Sequence, residues 1–221
     1  MLKTIWRELY HHIPFTASGA VFGIGAMAAV SLAHTPIEVS RVLFFTFHPL
    51  HVVFSALTTT AMYRRFGWRR LWLAVIIGYV GSVGIATVSD AFIPYLEGRT
   101  LGISMAFHVP FLETELVPYF NLPEWVLVNG AAAVGIGFGL LGRQTRLPHM
   151  THVLLSTWAS LFGFTAFGTA DWLPLLPVIF VYLFLAVWLP CCFSDIVFPL
   201  LWTGGASVPG HDHAHAHDHA H

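Results

Sequence analysis

Charge is what this chain has least of. Only 10% of its 221 residues are Asp, Glu, Lys or Arg, against 56% hydrophobic residues, too little polar surface to cover a soluble globule of that size. A mean hydropathy of +0.71 points the same way. Cysteine is nearly missing: Cys191 and Cys192 are adjacent in sequence and expected at a cytosolic end, where thiols stay reduced, so no disulfide framework is expected to hold the fold. The Gly-rich P-loop that cradles phosphates is absent, and any driving force must then come from an ion gradient or an accessory subunit. A formal net charge of -1 offers no basic excess, so no nucleic-acid partner is expected. The start, Met1-Leu2-Lys3-Thr4-Ile5-Trp6-Arg7, lacks the charged, apolar, small-residue order of a cleaved signal.

Apolar runs are what the chain has in plenty. A bilayer core needs about 20 such residues per helix, and runs of that order fall at 15–33, 42–62, 71–88, 125–141, 152–170 and 175–193. The expected fold is therefore all-α and integral to the lipid bilayer, with six transmembrane helices. Residues 2–12 are expected to lie along the membrane surface ahead of the first span. Lys3 and Arg7, the cluster Arg64, Arg65, Arg69 and Arg70, and Arg143 with Arg146 fall on one side of a six-span path. Basic residues gather on the cytoplasmic face, which implies a multi-pass inner-membrane protein with both termini cytoplasmic.

The chain also repeats itself. His48-Pro49-Leu50-His51-Val52-Val53-Phe54-Ser55 returns as His149-Met150-Thr151-His152-Val153-Leu154-Leu155-Ser156, and Ser89-Asp90 followed by Pro94 returns as Ser194-Asp195 followed by Pro199. The order is the same in both copies, as in an internal duplication. Three spans per copy is an odd number, so the second copy must insert upside down, the inverted-repeat plan of many transporters. The units are expected at 1–110 with an external loop, at 111–202, and at 203–221 as a disordered cytosolic tail rich in histidine.

Ionisable groups inside a span are costly unless paired or coordinated. Two histidines three apart share a helix face, and two imidazoles plus a carboxylate suit a divalent transition metal. The candidate ligands are His48, His51 and Asp90 as an outward-side site and His149, His152 and Asp195 as an inward-side site. Cys191 and Cys192 precede Asp195 on about its face; neighbours point about 100° apart, so one of them is the better soft ligand. Folding the second and third spans back about Gly67 leaves Asp90 about one helical turn, roughly 6 Å, beyond the histidines. That copy requires an irregularity before Pro94, or another third ligand from the loop holding His108, Glu113 and Glu115.

The tail, 211–221, alternates His with Asp and Ala, unlike a plain purification run, and is compositionally a metal sponge. It resembles the His-Asp-rich cytosolic segments of zinc, nickel and cobalt transporters. With the duplicated intramembrane His-x-x-His, the chain loosely resembles microbial integral-membrane heavy-metal permeases, although the His and Asp-His motif of nickel-cobalt permeases is missing from the second span. The expectation is a protein that binds and transports a divalent transition metal, zinc first, with nickel, cobalt, copper and iron open, alone, as a homo-oligomer or with an accessory subunit. The rival is a membrane metalloenzyme, which would need both ligand sets to converge on a single metal with an open water position.

Overall fold

The computed structural model describes residues 2–67, 70–117, 119–141 and 146–202, with side chains described for these except at 2–9, 11, 12, 15, 65–67, 146–150, 192, 195, 196 and 200. The tail and its histidines lie outside the described residues. The remainder is mostly helical. Helix α1 covers Leu2–Leu32 and α2 Ile37–Gly67. A composite third helix follows: α3 (Leu71–Tyr79), a π turn (Val80–Gly84), α4 (Ile85–Thr87), a second π turn (Val88–Phe92) and α5 (Ile93–Thr100). Then come α6 (Glu124–Leu141), α7 (Arg146–Phe167), α8 (Leu176–Cys192), a third π turn (Phe193–Val197) and α9 (Phe198–Leu201).

Four helices, Ile37–Arg64, Leu71–Thr100, Glu124–Leu141 and Leu173–Cys191, are long and apolar enough to cross a membrane, and Thr16–Leu32 is a shorter apolar helix. Residues 2–12 do not form a separate surface element: α1 runs unbroken through Pro14. The distribution of polarity suits lipid rather than water. Phe138, Leu141 and Val181 are exposed, whereas His48, His51, Asp90, His152 and Ser156 are wholly buried. In a soluble protein that order is reversed.

Helix α2 is the centre of the bundle, packed chiefly against α7 and α6, while α1 packs on α8 and α7. Close approach of α6 to α2 depends on glycine: a Cβ at Gly135 would stand 2.2 Å from the Val53 carbonyl oxygen, and one at Gly139 2.8 Å from that of Leu57. Small residues at such a seam let backbones meet where lipid supplies no hydrophobic drive.

Two short antiparallel pairings shape one end of the bundle. Strands β1 (Ser104–Met105) and β4 (Gly168–Thr169) pair, tying the loop after α5 to the end of α7. A hairpin of β2 (Leu116–Val117) and β3 (Leu122–Pro123) leads into α6, its turn carrying Asn121 at φ 51, a left-handed conformation that Asn tolerates.

Two of the three π turns, those holding Asp90 and Asp195, have a covalent cause. Pro94 and Pro199 stand four residues after Asp90 and Asp195, and a proline can neither donate to the carbonyl four residues back nor fit against it. The helix widens there instead. Carbonyls within the first two π turns find hydroxyls: Ser160 Oγ donates to the Ser89 carbonyl at 2.9 Å and Ser194 Oγ to that of Gly81 at 2.6 Å. In the first copy this is the irregularity that brings Asp90 back to the depth of the α2 histidines.

Candidate metal centre

Helix α2 frames the site. Ser40, Phe44, His48, His51, Ser55, Thr58 and Thr59 recur at three- and four-residue intervals and are all buried, forming one stripe that faces the bundle interior. The second π turn delivers Asp90 to it. His48 Nδ1 lies 2.9 Å and His51 Nδ1 2.6 Å from the same oxygen, Asp90 Oδ2. Asp90 Oδ1 accepts from the hydroxyls of Ser89 at 2.7 Å, Ser156 at 3.2 Å and Ser160 at 3.3 Å.

Donor atoms of His48, His51 and Asp90 lie within 4.8 Å of one another, close enough to hold one ion. The Ser160 hydroxyl proton is directed to the shorter Ser89 carbonyl contact, and the four remaining donors fill a carboxylate that has about four lone-pair directions, so in this arrangement Asp90 acts as an orienting acceptor. In the neutral form, an imidazole that donates Nδ1–H to it carries its free lone pair on Nε2. Both Nε2 atoms, of His48 and of His51, are buried and have no hydrogen-bond partner among the described residues. An orphaned buried acceptor costs about 1–3 kcal/mol, and a metal ion is one partner that would satisfy such a lone pair.

The second half supplies the other side. The rings of His51 and His152 stand edge to face with centroids 4.7 Å apart, and donor atoms of His51, His152 and Cys191 fall within 4.8 Å of one another, all buried. Cys191 Sγ lies 3.3 Å from Ser156 Oγ. His51 thus belongs to both trios. The two trios meet there because α2 and α7 cross where each carries its second histidine. The side chains of His149, Asp195 and Cys192 lie outside the described residues.

His108 and Glu113 are not in this cluster. His108 Nδ1 stands 3.8 Å from Glu113 Oε1 and its Nε2 2.7 Å from Glu124 Oε2, at the end of the bundle shaped by the β pairings. Glu115 ties the same loop down through its carbonyl, which accepts from the Glu124 N–H at 3.2 Å. Sequence reasoning passed over Glu124, Ser160 and Phe44. Ser156 and Ser160 follow His152 at intervals of four, the spacing of a shared helix face, and that signal was readable; the role of Glu124 depends on how the loop folds back.

Two further hydroxyl contacts link α2 and α7 to the π turns. Ser160 in α7 reaches Ser89 of the first half, and Thr59 in α2, its counterpart in the repeat, lies 3.3 Å from Ser194 of the second. Comparison with known protein families, curated proteins and solved structures finds no match.

Proposed function

We propose that the chain binds a divalent transition-metal ion at a single occluded centre between its two halves and carries it across the inner membrane. The observation behind this reading is the convergence of His48, His51 and Asp90 from one half with His152 and Cys191 from the other, all buried. A cargo site where inverted repeats meet, near the bilayer midplane, is the plan of many secondary transporters. Six spans, formed by α1, α2, the composite third helix, α6, α7 and α8, make up the two inverted halves. Support comes from the reciprocal Ser160 to Ser89 and Thr59 to Ser194 contacts, from the π turn at Ser-Asp in each third helix, and from α2 packing on α6 as α7 packs on α1.

Metal is the cargo in this scheme, and neutral imidazoles with a thiol suit zinc, with nickel, cobalt, copper and iron as chemical alternatives. Asp90 holds His48 and His51 with their Nε2 lone pairs presented. Beyond the centre, Ser55 and Thr58 continue the polar stripe along α2 toward the end bearing Arg64, each with a buried hydroxyl oxygen that has no partner among the described residues; these offer an ion oxygen ligands along its way. The arginine distribution supports a cytoplasmic side for that end and for both termini.

The test is zinc uptake into proteoliposomes that enclose a zinc-sensitive dye. His51→Ala and His152→Ala should each abolish flux and remove the same bound equivalent. Flux that survives both changes overturns the proposal. One observation favours a second reading: convergence on one centre is also what a membrane metalloenzyme requires. Metal that stays bound without crossing, while a lipid-soluble ester is hydrolysed, selects that reading.

A further inference from the structure

A second polar group lies over the central one. The β1–β4 pairing and the Ala106 N–H bond to the Phe167 carbonyl at 3.0 Å hold the loop after α5 against the end of α7, so that His108 stacks on Phe167 with centroids 4.4 Å apart. From the other side, the Trp125 N–H donates to the Glu113 carbonyl at 3.0 Å, which fixes Glu124 at the start of α6 next to the same imidazole.

His108 Nε2 and Glu124 Oε2 approach to 2.7 Å, but off the N–H direction, and Nε2 has no hydrogen-bond partner among the described residues. Glu124 is only 3% exposed, and its Oε1 also lacks a partner. A carboxylate in so dry a place is costly unless a cation satisfies it. Here an imidazole nitrogen and two carboxylate oxygens are presented side by side with capacity unspent. Glu113, 35% exposed, stands 3.8 Å from the opposite ring nitrogen on the water side, too far to hydrogen-bond to it.

We propose that His108 and Glu124 form a second, weaker site for a divalent transition-metal ion, in series with the central one. It rests on the reading of the chain as a metal carrier. Two protein donors leave the remaining positions to water, which suits a site that receives a hydrated ion. The serial relation follows from the aromatic layer between the two sites. Phe44 lies flat on His48, centroids 5.3 Å apart at 4°, and presents its edge to His108 at 5.8 Å. A single phenyl ring is thus in contact with both imidazoles, and an ion moving between the two sites would have to pass it.

The full chain in detergent, titrated with Co2+ alone and read by d–d absorption, tests this, with the His-rich tail a common background in every variant. His108→Ala and Glu124→Gln should each lose the same weaker equivalent, while His51→Ala loses a different, tighter one. In vesicles Glu124→Gln should raise the KM for Co2+ uptake about tenfold with kcat unchanged. Loss with His51→Ala alone overturns the second site and leaves the central reading intact. Loss with His108→Ala alone upholds the second site and overturns the centre; no loss in either overturns both. A lowered melting temperature of Glu124→Gln with every Co2+ equivalent retained makes the pair structural and also overturns the second site.

Discussion

Asp90→Asn alters one atom of the carboxylate, and the cluster dictates which. If the new NH2 took the place of Oδ2, it would face the Nδ1–H groups of His48 and His51, two donors against a donor. At the Oδ1 position it meets the hydroxyls of Ser89, Ser156 and Ser160, which can rotate to accept. The second orientation wins, and both imidazoles keep an acceptor that has lost its charge. A hydrogen bond to a charged partner contributes about 1.5–3 kcal/mol and a neutral one about 0.5–1.5. The loss is thus about 1 kcal/mol per ring, about 2 in all, within the 10–100-fold in metal affinity typical of orienting carboxylates. Asp90→Ala removes the acceptor altogether, leaves both Nδ1–H groups unpaired, and should weaken binding further while lowering the melting temperature. Isothermal titration with zinc, alongside thermal melts in detergent, separates the two effects. Equal zinc affinity in Asp90→Asn and the parent, or an Asp90→Ala milder than Asp90→Asn, would refute the orienting role.

Three further expectations concern packing, protons and the tail. Gly135→Ala drives a methyl into the Val53 carbonyl and the Ala56 Cβ and should cost about 1–3 kcal/mol as overpacking; Gly137→Ala, with nothing within 4 Å, should leave the melting temperature unchanged or raised, and equal effects of the two would contradict the close α6–α2 seam. Protons compete with metal for imidazole lone pairs, so zinc occupancy should fall on acidification from about pH 7.5 to about 5.5. Occupancy that is flat over that interval argues against histidine ligation. Deleting 211–221 should lower total zinc capacity and leave the tightest equivalent in place; loss of all binding by a folded truncation would assign the metal to the tail.

Much of the centre was legible because the chain states its pattern twice. One His-x-x-His or one Ser-Asp is ordinary; the same order in two copies marked His48, His51, Asp90 and His152 before any helix was placed. The irregularity was foreseen before Pro94 in the first copy, as an alternative to another third ligand, and the π turn Val88–Phe92 stands there; the one before Pro199 was not foreseen. Hydropathy was a poorer guide at α7. Its turns are rich in His152, Ser156, Thr157 and Ser160, all buried, and a helix wrapped by other helices has no need of an apolar surface facing lipid.

By itself, the sequence determined the solvent, the helical class and the identity of most donor atoms, since these depend on composition and on spacing along a single helix. Only the tertiary structure decided that the two donor sets meet at His51, that Asp90 is the common acceptor for two imidazoles, and that Glu124 stands beside His108. Each of these depends on where helices cross and on how a loop folds back, and the period of a helix constrains which residues share a face but not which other helix that face will meet.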